Sequence, residues 1–397
     1  MVAGVTLPWP GNDPHAMAWR PGEMSTQWRE HNAVELLPEA DRFLPALFEA
    51  VAQAQESVLV ELYLMESGEL ANRVIEALAD AAARGVAVYL LLDGFGAMGL
   101  SRADRQRLTA GGVWLRDFNP LGWHSLARNV SRDHRKLVVV DQRLAFTGGF
   151  GAVDDFLSAW FEVAVRVRGP VVNDWVALFA QVWNSPLARG ADQAPALPRV
   201  PAAAAVADAA DGKMRARVMW GRGYRFQAIR HSLQQRIDTS QGRLWLCTPY
   251  FVPTLGTRLR LQRAARKGVD VRLLLPGQDH DHPGIRYAGQ RFYSRLLRAG
   301  VRIYEFQPSF IHAKFVMVDD WVSLGSCNFD HWSLQWNLEA NQEVEDAGLA
   351  QEVATLFQRN FAVSKEISHE HWSRRSLWAK LRTWLYGTLD GWMTRLR

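Results

Sequence analysis

The chain has 397 residues, 48% hydrophobic and 22% charged, the balance of a folded protein long enough for two domains and not that of a disordered chain. Its net charge of +5 is carried by residues 371–397, where Arg374, Arg375, Lys380, Arg382, Arg395 and Arg397 meet one acid, Asp390; the remainder is neutral, so no large nucleic-acid face is expected. Cys247 and Cys327 lie outside any zinc-ligand spacing, no apolar run reaches membrane-spanning length, and the N-terminus lacks a basic start with an apolar core. This predicts free thiols, no metal or other cofactor, no signal peptide, no transmembrane helix and a cytoplasmic chain.

Residues 1–31 read as an N-terminal extension and 32–183 as a first α/β half. Helical spacing over Leu70–Leu78 leads into ARGVAVYLLLDG (Ala83–Gly94), a glycine stop followed by a buried strand; GGVWLRDFNP (Gly111–Pro120) and DHRKLVVVD (Asp133–Asp141) follow. Residues 184–212, rich in Ala and Pro, read as a linker. The second half, 213–365, repeats the order: helical spacing over Leu255–Ala265, then RKGVDVRLLLPG (Arg266–Gly277), AGVRIYEFQP (Ala299–Pro308) and FIHAKFVMVD (Phe310–Asp319). Buried strands alternating with helices, twice, predict an α/β protein of two similar halves, each a mainly parallel or mixed sheet flanked by helices. In the tail, 366–397, Leu377/Trp378, Leu381, Trp384/Leu385, Leu389, Trp392/Met393 and Leu396 recur at helical spacing. This predicts either an interfacial helix on an anionic membrane surface or a terminal helix docked on the protein.

Both halves carry His, one residue, Lys, four residues, Asp: His134, Lys136 and Asp141, then His312, Lys314 and Asp319. Random placement of 11 His and 6 Lys in this length yields about 0.2 His-x-Lys triplets, so two sharing a following Asp are not accidental. Strand parity puts each His beside its Lys and sends the Asp elsewhere, as an orienting residue. A buried lysine is expensive unless it meets an anion, and two such pairs together make a pocket suited to a phosphate diester. One histidine can attack phosphorus to form a phosphohistidine, the other can serve as acid and base, and the lysines can hold the nonbridging oxygens without a metal. The sequence does not decide which histidine attacks; His134 is preferred. Downstream, GSCNFDHWSLQWNLEAN (Gly325–Asn341) offers Ser326 and Asn328 to phosphate, as Gly149 does in the first half; Asn337 and Glu339 share one face, and Glu339 can fix a histidine tautomer.

The two HxKxxxxD motifs, with Gly148, Gly149 and then Gly325, Ser326 and Asn328 after them, resemble the phospholipase D superfamily. ELYLM (Glu61–Met65), RDHRK (Arg132–Lys136), PYFVP (Pro249–Pro253) and NLEAN (Asn337–Asn341) are similar to bacterial cardiolipin synthases of the shorter form without N-terminal membrane helices. The resemblance implies an active site at a pseudo-twofold interface and transfer of a phosphatidyl group from phosphatidylglycerol to a second phospholipid alcohol, with glycerol leaving. It also implies peripheral placement at the cytoplasmic face of the inner membrane. A lipid hydrolase or nuclease of the same superfamily and a noncatalytic lipid-binding module are the alternatives. Gly151 stands where many members have Asn, and Trp332 where Arg is common, so the first half lacks one donor and the choice of headgroup can differ. GQDHDHPG (Gly277–Gly284) reads as a solvent loop near the pocket mouth, and LGWHSL (Leu121–Leu126) as an apolar lip or packed loop.

Overall fold

The helix–glycine–strand units form as their spacing predicts. Glu69–Ala83 and Leu255–Arg266 are helices, each followed by a glycine in the left-handed region, Gly85 at φ 92° and Gly268 at φ 93°, where a Cβ would be strained. The computed structural model describes residues 26–122, 131–190, 197, 212–222, 226–330, 337–378, 381, 383, 385 and 386.

The first half contains β1 (Arg29–Pro38), β2 (Ser57–Leu62), β3 (Ala87–Asp93), β4 (Trp114–Phe118), β5 (Leu137–Val140), β6 (Leu144–Gly148), β7 (Trp160–Phe161), β8 (Val163–Arg168) and β9 (Ala188–Gly190). Its sheet is ordered β1-β8-β6-β5-β2-β3-β4-β9. The second contains β10 (Met214–Arg222), β11 (Phe226–Gln227), β12 (Arg243–Cys247), β13 (Asp270–Pro276), β14 (Arg302–Phe306), β15 (Phe310–Ile311), β16 (Phe315–Val318), β17 (Trp321–Gly325), β18 (Leu338–Glu345) and β19 (Ser364–Ile367). Its order is β10-β18-β17-β16-β12-β13-β14-β19, the first order strand for strand. Only β2-β3-β4 and β12-β13-β14 are parallel, so each sheet is mixed; the motif strands β5 and β16 start hairpins and run antiparallel to β2 and β12.

One apolar cluster draws side chains from both sheets and from helices Val172–Trp183 and Ala347–Ala362, including the fully buried Trp175, Trp183 and Phe357. A shared core of this kind fixes the two sheets against each other, because close-packed side chains leave no room for sliding. Three strands cross the boundaries drawn from sequence. β1 pairs with β10 as well as β8, β9 falls inside the expected linker yet pairs with β4, and β19 carries the second sheet past residue 365. Residues 1–25 of the expected extension and linker residues 191–196 and 198–211 lie outside the described residues, as do Trp123–Leu126 of the apolar lip and Trp332. Among the described residues no helix is long and apolar enough to cross a membrane.

Candidate active site

The histidines are fixed by main chain before any side chain is considered. Each is anchored to the opposite half: His134 N–H donates to the Leu338 carbonyl at 3.0 Å, and His312 N–H donates to the Phe161 carbonyl at 2.9 Å. The backbone around these contacts forms short parallel pairings, Asp133 with Leu338 and β15 with β7. The next residue in each case is a glutamate, so the register that holds the histidine also delivers a carboxylate to its ring. Glu339 lies 2.9 and 3.1 Å from His134 Nδ1, and Glu162 lies 2.7 Å from His312 Nδ1.

A carboxylate at Nδ1 accepts that nitrogen's proton and leaves the lone pair on Nε2, which at His134 makes no hydrogen bond among the described residues and at His312 lies 2.9 Å from Lys314. Both imidazole pKa values lie below the ordinary value, that of His134 mainly through burial. That of His312 is well below it through burial and then the charges of Lys314 and Lys136. Both rings are therefore neutral near pH 7. Trp160 packs on His312 at 4.7 Å between ring centres, and Tyr63 meets His134 edge-on at 4.8 Å.

The lysines lie beneath the rings, fully buried. Lys136 donates to the His134 carbonyl at 2.5 Å and sits 5.1 Å from the Tyr63 ring centre; Lys314 reaches Nδ1 and Nε2 of His312 at 2.7 and 2.9 Å and Glu162 at 3.7 Å. Burial lowers both ammonium groups, Lys136 to about 7. A phosphodiester placed against them would add counter-charge and raise them again. As pH rises through about 7 the Lys136 ammonium gives up its charge. The alkaline limb of kcat/KM is expected near pH 7, with that of kcat at higher pH; coincident limbs near pH 10 would show that Lys136 titrates normally.

His134, His312, Asn328 and Asn337 open onto one cleft of about 1040 Å³, together with Tyr63 and Tyr250. Other predicted residues fall elsewhere. Asp141 and Asp319, the motif aspartates that strand parity sends elsewhere, lie past the far ends of β5 and β16, five residues beyond the lysines and thus roughly 15 Å along an extended chain. Both occupy the left-handed region, φ 50° and 52°. Asp141 accepts backbone N–H bonds from Gln55, Glu56 and Ser57, and Asp319 from Gln241, Gly242 and Arg243, so each secures a hairpin to the start of the neighbouring strand. Asp319 is destabilised as an anion by burial, but those backbone bonds outweigh this and lower its pKa. Removing either carboxylate by Asp141→Ala or Asp319→Ala is expected to cost about 1–3 kcal/mol and lower the thermal midpoint, while turnover per folded molecule persists. Loss of chemistry with an unchanged midpoint would return them to the reacting centre.

Ser326 and Gly149 also differ from expectation. The Ser326 hydroxyl donates to Glu339 and accepts from Ala340 N–H at 3.1 Å, so it supports the glutamate and does not face a phosphate. A Cβ at Gly149 would lie 2.3 Å from a Glu162 carboxylate oxygen; this glycine makes room for the second glutamate. Gly151 faces inward, where a Cβ would lie 3.0 Å from the Leu64 carbonyl oxygen. Asn337 Nδ2 approaches Glu339 at 3.5 Å. Glu162, Tyr63 and Tyr250 were not selected from sequence. Glu162 had a signal: it follows His134 by 28 residues, as Glu339 follows His312 by 27, but WFEVAV reads as an ordinary core strand. Among the described residues no His/Cys/Asp/Glu group has the arrangement of a metal site.

Two equivalent α/β halves, each contributing a histidine–lysine pair to one cleft, define the phospholipase D-like class. The family model "Cardiolipin synthase, PLD-like domain" matches residues 47–183 and 233–361, and the chain belongs to that family, whose members are phosphatidyltransferases. It is 35% identical over 337 residues to cardiolipin synthase B of Salmonella typhi, covering 81% of this chain and 79% of the relative. To cardiolipin synthase A of Pseudomonas fluorescens SBW25 it is 32% identical over 350 residues, covering 86% and 71%. Among solved structures, phosphatidylserine synthase of Haemophilus influenzae Rd KW20 superposes with TM-score 0.68 at 12% identity over 91% of this chain and 93% of that one. Polyphosphate kinase of Porphyromonas gingivalis superposes with TM-score 0.58 at 14% identity over 91% and 53%. At these identities the superpositions establish the fold alone.

Proposed function

We propose that this phosphatidyltransferase makes cardiolipin: phosphatidylglycerol donates its phosphatidyl group to a histidine, glycerol leaves, and the hydroxyl of a second phosphatidylglycerol displaces the histidine. The observation that carries the reading is the pairing of each histidine with the other half's glutamate inside one cleft. His134 is the nucleophile in this scheme. Its Nε2 makes no hydrogen bond among the described residues, whereas His312 Nε2 lies against Lys314. In the first displacement His134 Nε2 bonds to phosphorus, the phosphorus–oxygen bond to glycerol breaks, and His312 gives a proton to the departing alkoxide. The bound diester promotes protonation of His312 by offsetting the lysine charges. In the second displacement His312 takes the acceptor's proton as the new phosphorus–oxygen bond forms and the phosphorus–nitrogen bond breaks. Lys136, Lys314 and Asn328 hold the nonbridging oxygens, and Glu162 and Glu339 keep the ring tautomers.

The tail supplies membrane contact in this reading. Trp372 is buried against Tyr293 at 4.8 Å between ring centres, and Tyr386 meets Tyr287 at 5.4 Å, so part of the tail docks as one sequence reading expected. Leu377 and Trp378, 82% and 79% exposed, project outward together with Leu381 and Leu385, which suits an interfacial helix beside the cleft that Tyr386 lines. Leu389, Trp392, Met393 and Leu396 of the predicted stripe lie outside the described residues. The purified protein is expected to sediment with phosphatidylglycerol vesicles more than with phosphatidylcholine vesicles, and less as salt rises, because the tail's charge is screened. On the former it should release glycerol and form cardiolipin. Phosphatidic acid without cardiolipin would make it a hydrolase; binding without turnover would make it a lipid-binding module.

A further inference from the structure

The cleft has a second chemical character that the phosphate chemistry leaves unused. Two buried lysines lie beneath its histidines, while its lining carries acids, Glu66, Asp155, Asp330 and Asp281, the last in the loop between β13 and the helix Pro283–Gln290 with Tyr250 and His282 beside it. Asp281 is held in place: its Oδ2 accepts the Tyr250 hydroxyl, its Oδ1 lies 3.0 Å from His280 Nδ1, and its Oδ2 lies 3.9 Å from His282 Nε2. The His280 side chain, 1% exposed, is packed against Phe310 at 5.1 Å and Tyr250 at 5.7 Å between ring centres. The loop is the expected solvent loop at the cleft mouth, with Asp279, Asp281 and His282 exposed, and its central acid is nonetheless held in place. Burial works against the Asp281 charge, but the bonds from His280 and Tyr250 outweigh it and bring the carboxyl to about 2, so it is anionic at all working pH values. Its charge acts on His312 and Lys314, which places it within the electrostatic reach of the reacting centre.

A fixed anion in a site for an anionic diester repels the phosphate. It can favour only the part of a substrate that donates hydrogen bonds and carries no negative charge. A polyol hydroxyl and an ammonium both qualify. An ammonium would also meet the repulsion of Lys136 and Lys314; a hydroxyl would not. Asp281 retains lone pairs beyond those used by Tyr250 and His280 and can accept from a diol. In a double displacement the leaving and entering alcohols occupy the same side of phosphorus, so one receptor would serve both.

We infer that Asp281, braced by Tyr250 and His280, is the receptor for the free hydroxyls of a polyol acceptor, selecting glycerol-type headgroups over water and simple alcohols. This rests on the phosphatidyl-transfer reading. The donor's glycerol, or free glycerol, anchored through two hydroxyls presents its third oxygen to phosphorus, and a phosphatidylglycerol acceptor anchors through the one hydroxyl that does not attack. Water and 1-propanol have no second hydroxyl to anchor.

The test uses the full-length protein on phosphatidylglycerol–phosphatidylcholine vesicles, with labelled glycerol, 1-propanol or ethanolamine as acceptor, and measures kcat/KM for each transfer product and for phosphatidic acid. Asp281→Asn is expected to lower the glycerol-to-propanol ratio about tenfold or more and to raise phosphatidic acid relative to phosphatidylglycerol, as loss of a charged hydrogen bond predicts. Tyr250→Phe should move the ratio in the same direction by less. Propanol transfer in the same samples reports that fold and chemistry survive. An unchanged ratio would overturn the inference and leave Asp281 acting only through His312; a loss confined to ethanolamine would replace the polyol by a cationic headgroup. Wild-type protein that transfers to no alcohol would instead overturn the transfer reading on which the inference stands.

Discussion

His134→Ala and His312→Ala are each expected to lower cardiolipin formation by about 10⁴-fold or more, and the double variant should be no worse than either alone. The reason is that the two rings do not make independent contributions. Without the attacking Nε2 there is no covalent intermediate, and without the proton donor the glycerol alkoxide cannot leave at a useful rate. His134 is buried against Tyr63 and His312 among Phe156, Trp160 and Phe310, and alanine leaves a void and a glutamate without its histidine, so some loss of stability accompanies the loss of rate. Circular dichroism and vesicle sedimentation separate the two effects. A single variant that binds vesicles and retains near-wild-type turnover would refute the shared site.

The second large effect concerns the glutamates. Glu339→Gln and Glu162→Gln are expected to reduce turnover by about 10²–10⁴-fold with the fold intact, by analogy with loss of the carboxylate that orients a catalytic imidazole. A carboxylate can only accept from Nδ1, so it holds the proton there. An amide can donate to Nδ1 instead and move the proton to Nε2, where it occupies the lone pair that must reach phosphorus. The effect should fall on kcat more than on KM, because the lysines that attract the diester remain. Glu→Asp at either position should recover part of the rate. A Gln variant with unchanged kcat would show that the backbone contacts to Leu338 and Phe161 suffice to orient the rings.

Much of this arrangement was legible in the sequence because it occurs twice. The paired helix–glycine–strand units gave the two halves, and strand parity correctly separated His312 and Lys314 from Asp319. Parity could not say where Asp319 goes: the β16–β17 hairpin turns at that residue, and its carboxylate reaches backbone N–H groups of a chain segment 76 to 78 residues earlier. Glu162, a lone acid inside an apolar strand, has no local signature. Its role depends on β7 pairing with β15, a contact between halves 150 residues apart in sequence at the histidine. Ser326 and Gly149 were assigned to phosphate on chemical type, yet both face a glutamate, one as donor and one by providing space. The sequence thus identified the residues with exceptional chemistry and was less informative about those whose roles depend on the opposite half.

The central claim is that the two halves form one site in which a single histidine carries the phosphatidyl group. Its most direct test is to mix enzyme with phosphatidylglycerol labelled in the phosphate, quench at early times in alkaline denaturant, and count acid-labile label on the protein. The account predicts no more than one equivalent per chain, on His134, absent from His134→Ala and, with its formation dependent on Glu339, strongly reduced in Glu339→Gln. Two equivalents per chain, or label retained in His134→Ala, would contradict it.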